Sequence, residues 1–142
     1  MKKFFMFAAI VWGCVLFAAD IETNISLVNT TGKSGKIHVA IFDTSAGFKK
    51  KDAMKRQTLP AGTSNMSISL PAGEYVVSAY IDVNGNGKAD ASLIGIPKEP
   101  VGISNYDGKS IPGNFDRHKV VVGEGKDRIT VRLVEIMAGK EE

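Results

Sequence analysis

Oxygen-bearing side chains are densest between residues 82 and 90, where Asp82, Asn84, Asn86 and Asp90 alternate with small, turn-forming residues. The order Asp-x-Asn-x-Asn-Gly-x-x-Asp matches the first part of an EF-hand-type calcium loop. Asp82, Asn84 and Asn86 would supply side-chain oxygens, Gly87 would permit the sharp turn, Lys88 would give its main-chain carbonyl, and Asp90 would complete the run. The pattern then fails, because Leu93 stands where the loop needs a bidentate glutamate and a strand rather than a helix leads in. A carboxylate from elsewhere must close the shell. Glu99 is the first choice, with Asp116, Asp107 or Asp43 as alternatives from other loops. Only Asp82 and Asp90 carry charge within the run, and Lys88 offsets one of them. Calcium affinity is therefore expected to be weak, about 10⁻⁴ to 10⁻³ M. The competing explanation is a plain turn, since Asn-Gly and Asp-rich segments tolerate positive φ and are common surface connectors.

The segment 91–118 follows directly. Pro97 and Pro100 forbid regular pairing, and Gly95 and Gly102 allow close backbone approach. Its apolar residues predict a loop packed down on the protein, with Glu99 aimed at whatever the loop covers. An alternative function for this segment is an extracellular glycan- or peptide-binding surface that uses Asn105, Tyr106 and Asp107.

Catalysis is not expected. His38 and His118 are the only histidines. His38 falls on the polar face of a strand and is read as exposed, and His118 sits between Arg117 and Lys119, where a positive field makes a general base less useful. Residues 102–106 lack the second glycine of a nucleophile elbow. Gly32-Lys33-Ser34 has Leu27 where a phosphate loop requires glycine. The basic run of Lys49, Lys50, Lys51, Lys55 and Arg56 is read as solvated surface or edge protection in preference to a contact for acidic glycans or a membrane surface. Sequons headed by Asn24, Asn29 and Asn65 are treated as chance in a chain of bacterial character.

The elements that must position these residues read as strands. Ile21, Thr23, Ile25 and Leu27 share a face, as do Ile37, Val39 and Ile41, then Met66, Ile68 and Leu70, then Tyr75, Val77, Ala79 and Ile81, with polar residues mostly between them. Val120 and Val122, then Ile129, Val131 and Leu133, continue the period of two, which marks strands with one face to a core. Six strands and a possible short one at 101–104 predict an all-β antiparallel sandwich, immunoglobulin-like or transthyretin-like, of about seven strands. Residues 71–73 read as a tight connection and 123–126 as a hairpin turn. Residues 48–57 permit a turn or two of helix.

The chain has 142 residues. Lys2 and Lys3, the apolar stretch 4–17 and the small Ala18-Ala19 exit form a secretory signal peptide, 1–19, ahead of a single domain, 20–142. Val11-Trp12-Gly13-Cys14 loosely resembles a lipobox, but Trp12 is bulky and the residues after Cys14 are apolar, so simple cleavage is preferred to a lipid anchor. The mature chain would then have no cysteine. Removing the leader lowers the basic count from 18 to 16 against 15 acidic residues, a net of +1. That balance argues against nucleic-acid partners. The expected location is periplasmic or secreted, with no membrane span after signal removal and a partner among extracytoplasmic ligands or cell-envelope components.

Leu70-Pro71-Ala72-Gly73-Glu74-Tyr75, the 82–90 loop, and Gly95-Ile96-Pro97-Lys98-Glu99-Pro100-Val101-Gly102-Ile103-Ser104-Asn105 taken together resemble a family of exported bacterial proteins known only as a domain of unknown function. The resemblance spans residues 21–134. It implies a transthyretin-like or immunoglobulin-like sandwich, similar in its Leu-Pro-x-Gly-x-Tyr hairpin to carboxypeptidase regulatory-like domains, and it implies no established activity. Val101 and Ile103 stand where aromatic residues would be expected.

Overall fold

The computed structural model describes residues 19–91 and 96–136. The expected signal peptide falls outside the described residues except for Ala19, and Cys14, Leu93 and Gly95 lie outside them too. Eight strands and two short helices follow in order: β1 (Ile21–Asn29), β2 (Lys36–Phe42), α1 (Ser45–Lys50), β3 (Lys55–Leu59), β4 (Asn65–Leu70), β5 (Gly73–Asp82), β6 (Val101–Ile103), α2 (Phe115–His118), β7 (Val120–Val122) and β8 (Arg128–Leu133). No helix among the described residues is long and apolar enough to cross a membrane.

The strands form the two sheets of an all-β sandwich. One runs β4-β1-β8, and the other β3-β2-β5-β6, with β7 also paired to β5. Alternation places Ile25 and Leu27 of β1, Val39 and Ile41 of β2, Val77 and Ile81 of β5, and Val131 and Leu133 of β8 in a single core. Burying each such side chain contributes about 1.5–3 kcal/mol relative to exposure. Pairing is antiparallel throughout except between β1 and β8, which run parallel with Ile25 opposite Ile129 and Leu27 opposite Val131.

Two connections differ from expectation. The turn at 123–126 forms, with Gly123 and Lys126 bridged, but it does not join a hairpin. β7 pairs with β5, whereas β8 crosses to the other sheet and pairs with β1. Residues 71–73 likewise carry the chain from one sheet to the other. Tyr75 fixes that corner, its buried hydroxyl donating to the Pro71 carbonyl at 2.6 Å, the back-bond of a tyrosine corner. Burial, then the charges of Asp43 and Asp20, push the phenol pKa above its ordinary 10.0, so it remains a donor.

The helix is also displaced from the expected 48–57. It occupies Ser45–Lys50, capped by Thr44, whose side chain accepts from the Gly47 N–H. Lys51 ends it in the left-handed region at φ 58°, and residues 55–59 become an edge strand on β2. α1 and α2 cover the outer face of the second sheet, where Phe42, Val76 and Phe115 form a smaller cluster with Phe48 and Ala53 against it. That cover explains why β2 and β5 are buried on both faces over part of their length. Lys55 and Arg56 are exposed on the edge strand β3, in keeping with edge protection. The Lys55 ammonium donates to the Ser69 carbonyl of β4 at 3.1 Å, tying the two sheets on that side.

On the other side the sheets meet through their backbones. Val101 and Val134 exchange two N–H···O bonds of 2.9 Å. Gly102 permits the approach, since a Cβ there would lie 2.6 Å from the Arg132 carbonyl oxygen and 2.7 Å from Val131 Cγ1. Gly102→Ala must push β6 off β8, and is expected to cost about 1–3 kcal/mol by urea denaturation, the usual range for overpacking.

Candidate functional site

β5 delivers Asp82 to the head of the loop with its side chain 4% exposed. Gly35 packs under the strand end so closely that a Cβ would lie 2.2 Å from the Asp82 carbonyl oxygen. A carboxylate this enclosed needs donors, and the loop supplies them by curling back. Gly85 and Gly87 take φ of +74° and +72°, a region glycine enters without steric cost. The Gly87 N–H then donates to Asp82 Oδ2 at 2.8 Å and the Asn86 N–H to Asp82 Oδ1 at 3.2 Å. Asn84 Oδ1 accepts from the Asn86 N–H, and Asn86 Oδ1 from the Lys88 N–H. Both asparagine amides converge on Asp90, donating to its Oδ2 at 2.6 and 2.8 Å.

Glu99 reaches back to this turn. It is 6% exposed, and its carboxylate accepts from the Val83 N–H at 3.0 Å and the Asp90 N–H at 3.4 Å. The Lys98 N–H donates to the Asp90 carbonyl, and Ala91 bridges Pro97. One buried carboxylate thus holds both ends of the loop through main-chain donors. Asp82, Asn84, Asn86, Lys88 and Asp90 share one turn with Glu99 at its base. The alternative carboxylates go elsewhere: Asp116 pairs with Lys119, Asp107 accepts from the Lys109 N–H, and Asp43 lies within electrostatic reach of Tyr75. Among the described residues, no three His, Cys, Asp or Glu side chains are grouped to hold a metal. A cation at the loop would draw on amide and carbonyl oxygens beside the two aspartates, a donor set for a hard ion.

His38 departs from the expected exposure. His38 is half-buried in a cross-strand row between Thr58 and Tyr80. It stacks on the Tyr80 ring with centroids 4.8 Å apart, and its Nδ1 lies 3.1 Å from the Thr58 hydroxyl. Its Nε2 lies 3.5 Å from Asp82 Oδ2, with no hydrogen-bond partner. Sequence alternation placed His38 on the right face, but strand pairing was needed to bring it to Asp82. His118 is fully buried. Its Nε2 accepts from the Gly113 N–H at 2.8 Å, so the proton of the neutral ring sits on Nδ1, 3.3 Å from the Asn105 carbonyl oxygen. Tyr106 meets that ring edge-on and is only 8% exposed, its hydroxyl bonded to the Ser110 carbonyl. Tyr106, one of the three residues expected on a glycan- or peptide-binding surface, therefore packs its ring inward.

Residues 25–130 match the family model described as an uncharacterized protein conserved in bacteria, DUF2141. The chain belongs to the DUF2141 family. The matched span runs from within β1 to within β8, so the 82–90 loop, Glu99 and both histidines all lie inside it. No curated protein and no solved structure matches the chain.

In this DUF2141 chain, burial pushes the Asp82 pKa upward, but the Gly87 and Gly85 N–H groups, His38 and the Asn86 N–H outweigh it and hold the carboxyl below its ordinary 3.8. A group with a depressed folded pKa adds stability above its unfolded pKa and loses it as pH falls through the folded value. The melting temperature in chelator is therefore expected to drop as pH is lowered below about 4. Asp82→Asn should start lower at neutral pH and show a shallower acid decline.

Proposed function

We propose that the chain is an exported, non-catalytic sandwich module in which calcium orders the 82–90 loop and pins the following segment to the sheet. The observation that carries this is the convergence of Asn84 and Asn86 on Asp90 above a carboxylate, Asp82, already wrapped by the loop's own N–H groups. Four oxygen-bearing side chains share one short turn, and Glu99 clamps its ends. Rotation of the two carboxamides would turn their oxygens toward a cation in place of the N–H groups that now face Asp90. The Lys88 carbonyl and a free lone pair of Glu99 are the further donors in this scheme. The ion would serve loop order and folding rather than chemistry. The non-catalytic reading is supported by His118, whose ring nitrogens both face main-chain groups, and by the His38–Asp82 separation, longer than a proton-transfer hydrogen bond.

An ion that binds only the folded chain stabilises it by RT ln(1 + [L]/Kd), which is about 2 kcal/mol for about 5 mM calcium at a Kd of about 10⁻⁴ M. Calorimetry should show a melting temperature about 8 °C higher in calcium than in chelator, at about 4 °C per kcal/mol for a domain of this size. Asp90→Asn should remove most of that difference while leaving the chelator value nearly unchanged. An identical transition with and without calcium in the wild-type chain sinks the proposal.

A further inference from the structure

Away from the 82–90 loop, a polar cavity of about 530 Å³ is lined by Asn105, Tyr106, Asp107, Lys109, Arg117 and Arg132. It shares no lining residue with the two cavities at the 82–90 loop. Its volume falls in the range of small-molecule sites, roughly 300–1,000 Å³. Three cationic side chains border it against one carboxylate.

Among the described residues those cations have no ion-pair partner. The ion pairs among the described residues join Lys33 to Glu135 and Lys119 to Glu74 and Asp116, and His38 lies beside Asp82. None involves Lys109, Arg117 or Arg132. Asp107 forms no ion pair with them among the described residues, and its carboxylate accepts from the Lys109 main-chain N–H at 3.0 Å. Arg117 makes one long contact, 3.4 Å to the Ser110 hydroxyl. The cations also stand on built supports. Arg132 projects from β8 between the fully buried Val131 and Leu133. The Arg117 stem packs on Gly113, where a Cβ would lie 2.6 Å from its Cδ. Asn105, at φ 52°, is held in the left-handed region by its amide bond to the Lys119 carbonyl at 2.8 Å.

Concave surfaces lined by one sign of charge focus the field on their interior. Guanidinium forks match planar or tetrahedral oxyanions through paired N–H donors. We propose that this cavity binds a small oxyanion, a molecule bearing a phosphate or carboxylate group, with Arg117 and Arg132 as the principal donors and Lys109 as the third cation. Asp107 opposes the ligand and weakens binding. The site is independent of calcium at the 82–90 loop, so either can fail without the other.

The test is an amide NMR titration of the intact chain with pyrophosphate and, separately, citrate, at about 20 mM salt to limit screening. Saturable shifts confined to residues 105–109, 117 and 132 are expected. Arg132→Gln should weaken binding about tenfold, the lower end of what a hydrogen bond from a charged group contributes. Arg117→Gln should do the same, Asp107→Asn should tighten binding, and Lys50→Gln on α1 should leave it unchanged. Saturation by pyrophosphate alone identifies a phosphate ligand, and saturation by citrate alone a carboxylate. Arg132 is exposed on its strand, so its variant tests the site even if Arg117→Gln disturbs α2. Non-saturating shifts with both anions, equal shifts over the basic run at 49–56, or unchanged binding by Arg132→Gln would overturn the proposal.

Discussion

Strand β5 lies near the middle of the protein, and its backbone hydrogen bonds are made along both edges. β2 takes one edge from Val76 to Asp82. The other is covered in pieces, by β7 at residues 73–75 and by β6 at residues 78–80. The pieces leave Val77 between them, and a buried amide without a partner costs about 1–3 kcal/mol. Ser104 fills that place twice over. Its hydroxyl accepts from the Val77 N–H at 3.1 Å, and its own N–H donates to the Val77 carbonyl at 2.8 Å. The Ser104 hydroxyl also donates to the His118 carbonyl, and the Pro100 carbonyl accepts from the Ile81 N–H. The segment after the loop is thus held down by the need to finish β5, which is why Pro100 and Gly102 are buried in a packed strip. Glu99 is carried to the loop base by the same strip.

Much of this was legible in the chain, and the exceptions have physical reasons. The alternation of Ile25 with Leu27, or of Ile129 with Val131 and Leu133, reports a half-buried strand directly. β3 gives no such signal because Lys55, Arg56, Gln57 and Thr58 are all exposed and only Leu59 enters the core. An edge strand is defined by its partner rather than its own pattern. The parallel pairing of β1 with β8 is equally silent, since alternation says which face is buried and not which neighbour is chosen. The same limit hid the approach of His38 to Asp82 and the burial of His118. The loop pattern was readable because Asp82, Asn84 and Asn86 act within a few residues of each other. Glu99 was recognisable as a carboxylate on a stiff segment, but its bonds to the Val83 and Asp90 N–H groups depend on where that segment is pinned.

Buried polar groups here are handled by main-chain partners rather than by other side chains. Asp82, Glu99, Ser104 and His118 each meet backbone N–H or carbonyl groups. Such groups are rigid, so each side chain fixes a loop path as it is satisfied. The result is a set of ordered loops on a plain sandwich, with Asn114 capping α2 and Thr44 capping α1 in the same manner.

The parallel contact of β1 with β8 also has a kinetic side. These strands lie about a hundred residues apart in the sequence, and ordering so long an intervening segment before any contact rewards it slows folding. β4 alone can shield β1 from one edge. Until β8 has been synthesised, β1 keeps an unpaired edge, Ile25 and Leu27 lack the apolar neighbours Ile129 and Val131, and Val101 has no Val134 to meet. Completion of both the first sheet and the seam between sheets therefore waits on the same short segment, residues 128–134. The sandwich closes from its last strand, and a chain stopped short of residue 128 would carry both gaps at once.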